Sequence, residues 1–445
     1  MHARWRSSGG HELAPAILYY GDDFTGATDT LGTAARAGLR TLLFLRPPDA
    51  ARLERAGPLD CVGIAGAARA MNPAEMRAEL APIAKLFETL GARVLHYKTC
   101  STFDSAPAVG SIGVAVDVLR AAVSQPWAAI VGGQPGIERF CVFGHLFAAA
   151  GAGGEVFRID RHPTMSRHPV TPMHESDLRR HLALQGLTGV RSLPYTAYGK
   201  TPGALREDLE ALLAGRPEAV LFDVTDDAQL ASIGALLWPR ALEDSLLTVG
   251  PSSVVQAIAG QLRARPPAAA TIAPARGPVL VLAGSLSPVT ERQIVAAHSY
   301  DTVWLDPAQL AQPDAAQRAV MAGRIAELLA AGKNVLACTR RPGTSSAGDA
   351  PVDARGLARA GGDLLARVLA LAPLARVGVA GGDTSSHAVQ ALDAWGLSYL
   401  AALGPGTGLC RLHSDVPALD GMEIMLKGGQ MGSADVFERL VHGTA

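Results

Sequence analysis

The sequence predicts an α/β fold of two domains, each a mostly parallel sheet flanked by helices, with a ligand cleft between them. Three observations carry that reading. Short apolar runs ending in small polar turns alternate with helical stretches along the chain. At 445 residues the chain exceeds what one hydrophobic core usually serves. Residues 261–277, rich in proline and alanine and without amphipathic period, interrupt the alternation and read as a linker. The domains are therefore placed at 1–260 and 278–445.

Composition narrows the function. Aromatic residues make up 5% of a chain that is 48% hydrophobic, so the interior must be built from Ala, Leu and Val, which suits α/β layers. Lys and Arg number 40 against 41 Asp and Glu, interspersed, which argues against nucleic acid or an anionic membrane as a partner. The five cysteines are scattered without a C-x-x-C pair, as expected of reduced thiols in the cytosol. No apolar run reaches membrane-spanning length, and the run after the polar residues 1–13 is too short for a signal peptide core, so a cytoplasmic protein is expected.

The first strand is Ala16 to Tyr20, and Asp22, Asp23 and Thr25 are expected in the turn that follows, before a helix over 27–37. Strands over 41–45 and 61–65 come next, the latter ending at Gly66-Ala67-Ala68-Arg69. Pro73 opens a helix to Leu90, and a strand over 93–97 delivers Lys98-Thr99-Cys100-Ser101-Thr102-Phe103-Asp104-Ser105. A helix begins at Gly110–Gly113, and a strand over 128–131 runs into Gly132-Gly133-Gln134-Pro135. Between Arg158 and Gln185 prolines, arginines and histidines break the pattern, which predicts a long functional excursion. The rhythm resumes with strands over 220–223 and 246–249, around a helix near 228–236. In the second half, strands over 279–282, 334–338, 376–380 and 422–426 each deliver a turn of small residues; Ser287 is an expected N-cap with Pro288 at the first helical position.

Two kinds of strand end carry candidate chemistry. In the second half, Gly284-Ser285, Gly381-Gly382-Asp383-Thr384, Gly404-Pro405-Gly406-Thr407-Gly408 and Lys427-Gly428-Gly429 are glycine turns whose backbone N–H groups can approach a phosphate. None matches a P-loop or a dinucleotide fingerprint, yet their recurrence in one domain points to a phosphate-rich ligand such as ATP. In the first half the ends are charged: Asp22, Asp23, Arg69, Lys98, Ser101, Asp104, and nearby Arg167 and His168. Arg69 or Lys98 would hold a carboxylate, Asp and Ser would orient hydroxyls, and an ion pair with a nearby Asp is an equal reading of Lys98. His168 beside Pro169 reads as a loop-ordering hydrogen bonder, and Cys100 as a small buried thiol.

These residues resemble the four-carbon acid sugar kinase family, which phosphorylates tetronates and related sugar acids with ATP. The matching stretches are D-D-F-T-G-A-T-D from Asp22, K-T-C-S-T-F-D-S from Lys98 and H-P-V-T-P-M from His168. In the second half they are A-G-S-L-S-P-V-T from Ala283, G-G-D-T-S-S from Gly381 and K-G-G-Q-M-G from Lys427. The resemblance implies acid-sugar contacts around Asp22, Asp23, Lys98 and Asp104; Thr25, Arg69, Ser101 and His168 join them as candidate substrate-binding residues. It implies nucleotide contacts at Ser285, at Gly381, Gly382, Asp383 and Thr384, and at Gly429; Gly284, Ser287, Gly406, Lys427 and Gly428 are further candidates from the same turns. Family members often carry Glu at the position of Asp383, so the carboxylate arm here is a methylene shorter. They also often carry Ser before the arginine that matches Arg69, where this chain has Ala68.

The expected activity is transfer of the γ-phosphoryl of ATP, with Mg²⁺, to a terminal hydroxyl of a small sugar acid such as threonate, erythronate or 3-oxo-tetronate. Asp22 or Asp23 would be the base, with a slight preference for Asp23. Metal ligands are not assigned. The rival class is a non-catalytic two-lobed sugar-acid sensor, which leaves the glycine turns of the second half unexplained. The expected partners are the acid and ATP, and oligomeric state, a homo-oligomer included, is left open.

Overall fold

Strand β1 (Ile17–Gly21) is buried along its whole length, and the chain leaves it through Asp22 into helix α1 (Phe24–Arg36). The computed structural model describes residues 14–151, 153–168, 170–262, 270–285, 287–311, 315–339, 354–404 and 406–444; side chains of residues 315, 354, 355 and 383 lie outside that description. Pro169, Leu286, Pro405, the Asp383 carboxylate and linker residues 263–269 therefore fall outside it. The chain divides into two compact units, Met1–Pro267 and Ala268–Ala445.

In the first unit, β2 (Thr41–Phe44), β3 (Cys61–Ala65), β4 (Val94–Lys98) and β5 (Ala128–Val131) join β1, followed later in the chain by β9 (Val190–Leu193), β10 (Ala219–Phe222) and β11 (Leu246–Gly250). Among the described residues these form one parallel array in the order β2-β3-β1-β4-β11-β5-β10-β9. Such strands are covered on both faces, which is why they read as continuous apolar runs. Helices α2 (Ala50–Ala56), α3 (Pro73–Leu90) and α4 (Ile112–Arg120) complete the early crossovers; α3 is closed by an Asn72–Glu75 capping box and by Gly91 in the left-handed region.

The sequence reading missed a small antiparallel sheet of β6 (Arg139–Val142), β7 (His145–Ala149) and β8 (Val156–Arg158). The stretch read as one irregular excursion from 158 to 185 contains helix α5 (Leu178–Ala183), capped by Asp177. Three further helices, α6 (Pro202–Ala214), α7 (Asp227–Glu243) and α8 (Ser253–Ala259), finish the unit; α7 outruns the expected span by continuing through Pro239.

The second unit is built on β12 (Val279–Ala283), β13 (Asp301–Trp304), β14 (Val335–Cys338), β15 (Arg376–Ala380) and β18 (Glu423–Lys427), parallel in the order β13-β14-β12-β15-β18. Two longer strands, β16 (Ala394–Gly404) and β17 (Thr407–Ser414), were not foreseen; β17 runs antiparallel to both β18 and β16. Helices α9 (Pro288–Val295), α10 (Pro307–Ala311), α11 (Ala315–Ala330), α12 (Ala354–Leu371), α13 (Gly382–Ala391) and α14 (Val436–His442) accompany them. Val281, Ala380, Met425 and Phe437 belong to its buried core.

Candidate active site

In the first unit, β1, β4 and β11 end level: Gly21, Lys98 and Gly250 are partners in register. Because the strands are parallel, the polar residues after them meet at one carboxyl edge, where α/β sheets bind ligands. β1 lies between β3 and β4, so the strands that follow it in the chain are added first on one side of it and then on the other.

Helix α1 starts three residues before its expected position, because Asp23 caps it: the Asp23 Oδ1 accepts from the Gly26 amide at 2.9 Å. Thr25 thus sits in the first helical turn and not in the preceding loop, with its Oγ1 buried and without a partner among the described residues. Arg69 follows β3 and donates to both carboxylates, Nη2 lying 2.9 Å from Asp22 Oδ1 and 2.9 Å from Asp23 Oδ1. Asp22 is 3% exposed, and burial pushes its carboxyl above the usual range despite the pull of Arg69. Thr99 adds a hydrogen bond to Asp22 Oδ2 at 3.3 Å.

The loop after β4 carries the next group. Lys98 is buried, and its Nζ donates to the Thr99 carbonyl at 2.8 Å with no ion pair among the described residues. The ion-pair reading of Lys98 is therefore corrected. Its ammonium lies where a side chain on Gly26 would fall, so glycine there admits the lysine beneath the start of α1. Asp104 is buried too, but the pull of Arg69, the Thr102 hydroxyl at 2.5 Å, Cys100 and His168 outweighs burial and holds its carboxyl below the usual range. Phe103 adopts φ 53°, a left-handed conformation rare for so large a residue, and its carbonyl is held by His181 and Ser105. That strained corner aims Asp104. Ser101 is buried in the same loop. Burial pushes the Cys100 thiol up to about 11, and its Sγ rests 3.0 Å from Thr102 Oγ1, as expected of an inert thiol. The His168 Nδ1 accepts from the Thr171 amide at 3.1 Å and lies 3.0 Å from the Thr171 hydroxyl, so His168 orders its loop.

In the second unit the strand ends are again level, Ala283, Ala380 and Lys427 being partners in register. Their three turns interlock. Ser285 N donates to Ala380 O at 3.1 Å and Gly381 N to Lys427 O at 2.9 Å. A Cβ on Gly284 would collide with Thr384, one on Gly381 would lie 2.8 Å from Thr384 Oγ1, and one on Gly429 would strike Ser285 Oγ. Gly381, at φ 132°, leads directly into α13, so amides at the helix start face the space above the turns. Ser287 spends its hydroxyl capping α9 through the Val289 amide at 3.1 Å. Gly406 does not follow a parallel strand; it forms the β16–β17 hairpin at φ 63° and packs against Met431 of the third turn. Lys427 is fully buried, and burial lowers its ammonium to about 8.

Two family models match, described as a sugar-binding N-terminal domain over residues 17–258 and a nucleotide-binding C-terminal domain over 280–437. A 3-oxo-isoapionate kinase from Paraburkholderia graminis is 40% identical over 96% of this chain and 94% of its own. A 3-oxo-tetronate kinase from Cupriavidus necator is 30% identical over 95% and 96%.

The chain belongs to the four-carbon acid sugar kinase family.

It is accordingly a sugar-acid kinase with a nucleotide-binding C-terminal domain. The fold is shared by a solved Salmonella typhimurium protein described as a putative tRNA synthase, with TM-score 0.80, 23% identity and coverage of 95% and 98%. A Haemophilus influenzae protein aligns with TM-score 0.73 at 22% identity, over 95% and 98%. No described helix is long and apolar enough to cross a membrane.

Within this kinase the carboxyl edge of the first unit brings Asp22, Asp23, Thr25, Arg69, Lys98 and Asp104 together. Sequence reasoning missed a second group beside them. Asp29 Oδ2 accepts from Ser252 Oγ at 2.5 Å and Gln134 Nε2 at 3.0 Å, and Thr30 meets Ser252 at 3.0 Å. Both Gln134 and Ser252 follow parallel strands, the position that singled out the others.

Proposed function

We propose that the protein transfers the γ-phosphoryl group of ATP to a hydroxyl of a small 3-oxo sugar acid. Among four-carbon and branched acids, 3-oxo-isoapionate is the first candidate, because the relative named for that substrate is 40% identical and the 3-oxo-tetronate kinase from Cupriavidus necator 30%. The observation that carries the nucleotide half is the interlocking of three glycine turns at the start of α13, over a fully buried lysine. Such a surface offers amides and a positive field to phosphates and has no use in a plain sheet edge.

For the acid, Arg69 keeps Nη1 without a hydrogen bond among the described residues, and that nitrogen would take a carboxylate oxygen. Thr25 and Asp104 would orient hydroxyls. Asp23 is the proposed base, because its Oδ2 carries no hydrogen bond among the described residues while both Asp22 oxygens are engaged. As the acceptor oxygen bonds to the γ-phosphorus, its proton passes to Asp23; the bond from that phosphorus to the β–γ bridging oxygen breaks, and ADP leaves with the electron pair.

Mg²⁺ is expected with ATP. Among the described residues no group of three or more His, Cys, Asp or Glu forms a cage, and the turns offer hydroxyls and amides instead. An ion carried largely by phosphates and water suits that donor set.

The test is ADP release with ATP and Mg²⁺ across a panel of 3-oxo-isoapionate, 3-oxo-tetronate, threonate and erythronate. Stimulation by a 3-oxo acid supports the reading. Stimulation by threonate or erythronate alone moves the substrate to the reduced acids, and ATP binding without stimulation by any acid removes the proposed substrate class.

A further inference from the structure

The ammonium of Lys427 is out of place as an ordinary buried group. Its residue is 0% exposed, and Nζ donates at 3.1 Å to one neutral atom, Thr290 Oγ1. No carboxylate reaches it among the described residues. A buried charge without a counter-charge is costly, and proteins keep one where a ligand supplies the opposite sign.

Its bonds run directly to the glycine turns. Thr290, in the first turn of α9, passes its own hydroxyl hydrogen to the Gly429 carbonyl at 2.9 Å. The Lys427 carbonyl holds the Gly381 amide at 2.9 Å, at the start of α13. One residue thus ties the third turn through its side chain and the second through its backbone. Nζ also lies beside the first turn of α9, whose dipole adds positive potential and favours an anion nearby.

We propose that Lys427 is a positioning residue and the buried counter-charge of bound nucleotide, so that binding of the phosphates draws a proton onto its amine. This deepens the kinase reading and rests on it. The titratable groups on the elements packed around Lys427 are Glu423 of its own strand, Cys410, Arg411 and His413 of β17, Arg376 of β15, Glu291 and Arg292 of α9, and Asp383 and His387 of α13. Burial lowers the ammonium to about 8. Phosphate charge above the turns opposes the effect of burial and raises the proton affinity of the amine. Near pH 8 the free protein therefore holds roughly half a proton on Lys427, and the nucleotide complex holds nearly a full one.

The experiment is calorimetric titration of the full chain with ADP at pH 8, in buffers of different ionisation enthalpy, repeated from pH 7 to 9.5. The wild type should take up roughly half a proton at pH 8 and bind at least tenfold more weakly at pH 9.5 than at pH 7. Lys427→Met should bind at least tenfold more weakly at pH 7, with no uptake and a flat pH profile. Thr290→Val keeps the ammonium but cuts its connection to Gly429; it should retain uptake while losing affinity, and it tests the proposal even where Lys427→Met fails to fold. Lys427→Arg, charged at every pH used, should restore affinity without uptake. ADP binding by the wild type with no proton uptake, or uptake unchanged in Lys427→Met, overturns the proposal and leaves the kinase reading standing. Absence of any nucleotide binding overturns both.

Discussion

Arg69 grips Asp22 at two points, Nη2 lying 2.9 Å from Oδ1 and Nε 3.3 Å from Oδ2. A two-point guanidinium–carboxylate pair fixes both planes, and here the carboxylate is almost wholly buried. Asp22 therefore holds Arg69 in place, and its oxygens are turned away from any proton to be accepted. The neighbouring Asp23 shares Arg69 through one oxygen only. Adjacent acids of one turn are thus given different tasks by a single arginine.

Separate substitutions should expose that division. Asp23→Asn keeps the helix cap and the shape of the turn but removes the base; kcat should fall by about 10³-fold with little change in KM or melting temperature. Asp22→Asn leaves the Arg69 guanidinium short of one partner, so stability should drop by about 3 kcal/mol, with KM for the acid raised. Steady-state ADP release and thermal melts on both variants read these out. Wild-type kcat in Asp23→Asn would hand the base role to another group.

Gly381 offers a backbone test in the second unit. At φ 132°, with Thr384 Oγ1 2.8 Å and Ser285 N 3.3 Å from a built Cβ, alanine is strained there and crowds the turns. Gly381→Ala should weaken ADP binding at least tenfold and cost about 1–3 kcal/mol. Gly323 in α11 is the control: a Cβ there meets nothing within 4 Å. Gly323→Ala should stabilise by about 0.5–1 kcal/mol through helix propensity and leave nucleotide binding unchanged. Equal nucleotide affinity in both variants would separate the 381 turn from the nucleotide site.

The legible part of the molecule was the part where local pattern and tertiary position coincide. β1, β4, β12 and β15 are buried on both faces, so their apolar runs announced them, and the polar residues after them marked the carboxyl edges. The β16–β17 hairpin stayed hidden because β16 is bulged at three places and carries Gly396 and Gly404 within a mixed polar and apolar run. Strands β6 to β8 are short and partly exposed, so no run stands out. Asp22, Arg69 and Asp104 were visible as charges at strand ends. Asp29, Gln134 and Ser252 were not, since the Thr30–Ser252 contact spans 222 residues and depends on β11 lying beside β4, which no local signal specifies.

His96 gives the fold a built-in acid sensitivity. It is fully buried on β4, its Nδ1 lies 3.1 Å from Thr248 Oγ1, and its Nε2 has no partner among the described residues. Burial first, then the nearby Lys98 charge, lower the imidazole to about 3 from its ordinary 6.5. Between those values the unfolded chain binds a proton that the folded chain refuses, so folding stability falls as pH drops below 6.5. The loss approaches about 1.4 kcal/mol per pH unit. His96→Met fills the site without a titrating group, and Thr248 keeps a second acceptor in the Leu95 carbonyl. Urea unfolding of both proteins from pH 7.5 to 4.5 should show the wild type losing stability faster by that slope below pH 6. Parallel curves over the whole range would mean that His96 is protonated in the fold and that its burial is relieved by a group not yet recognised.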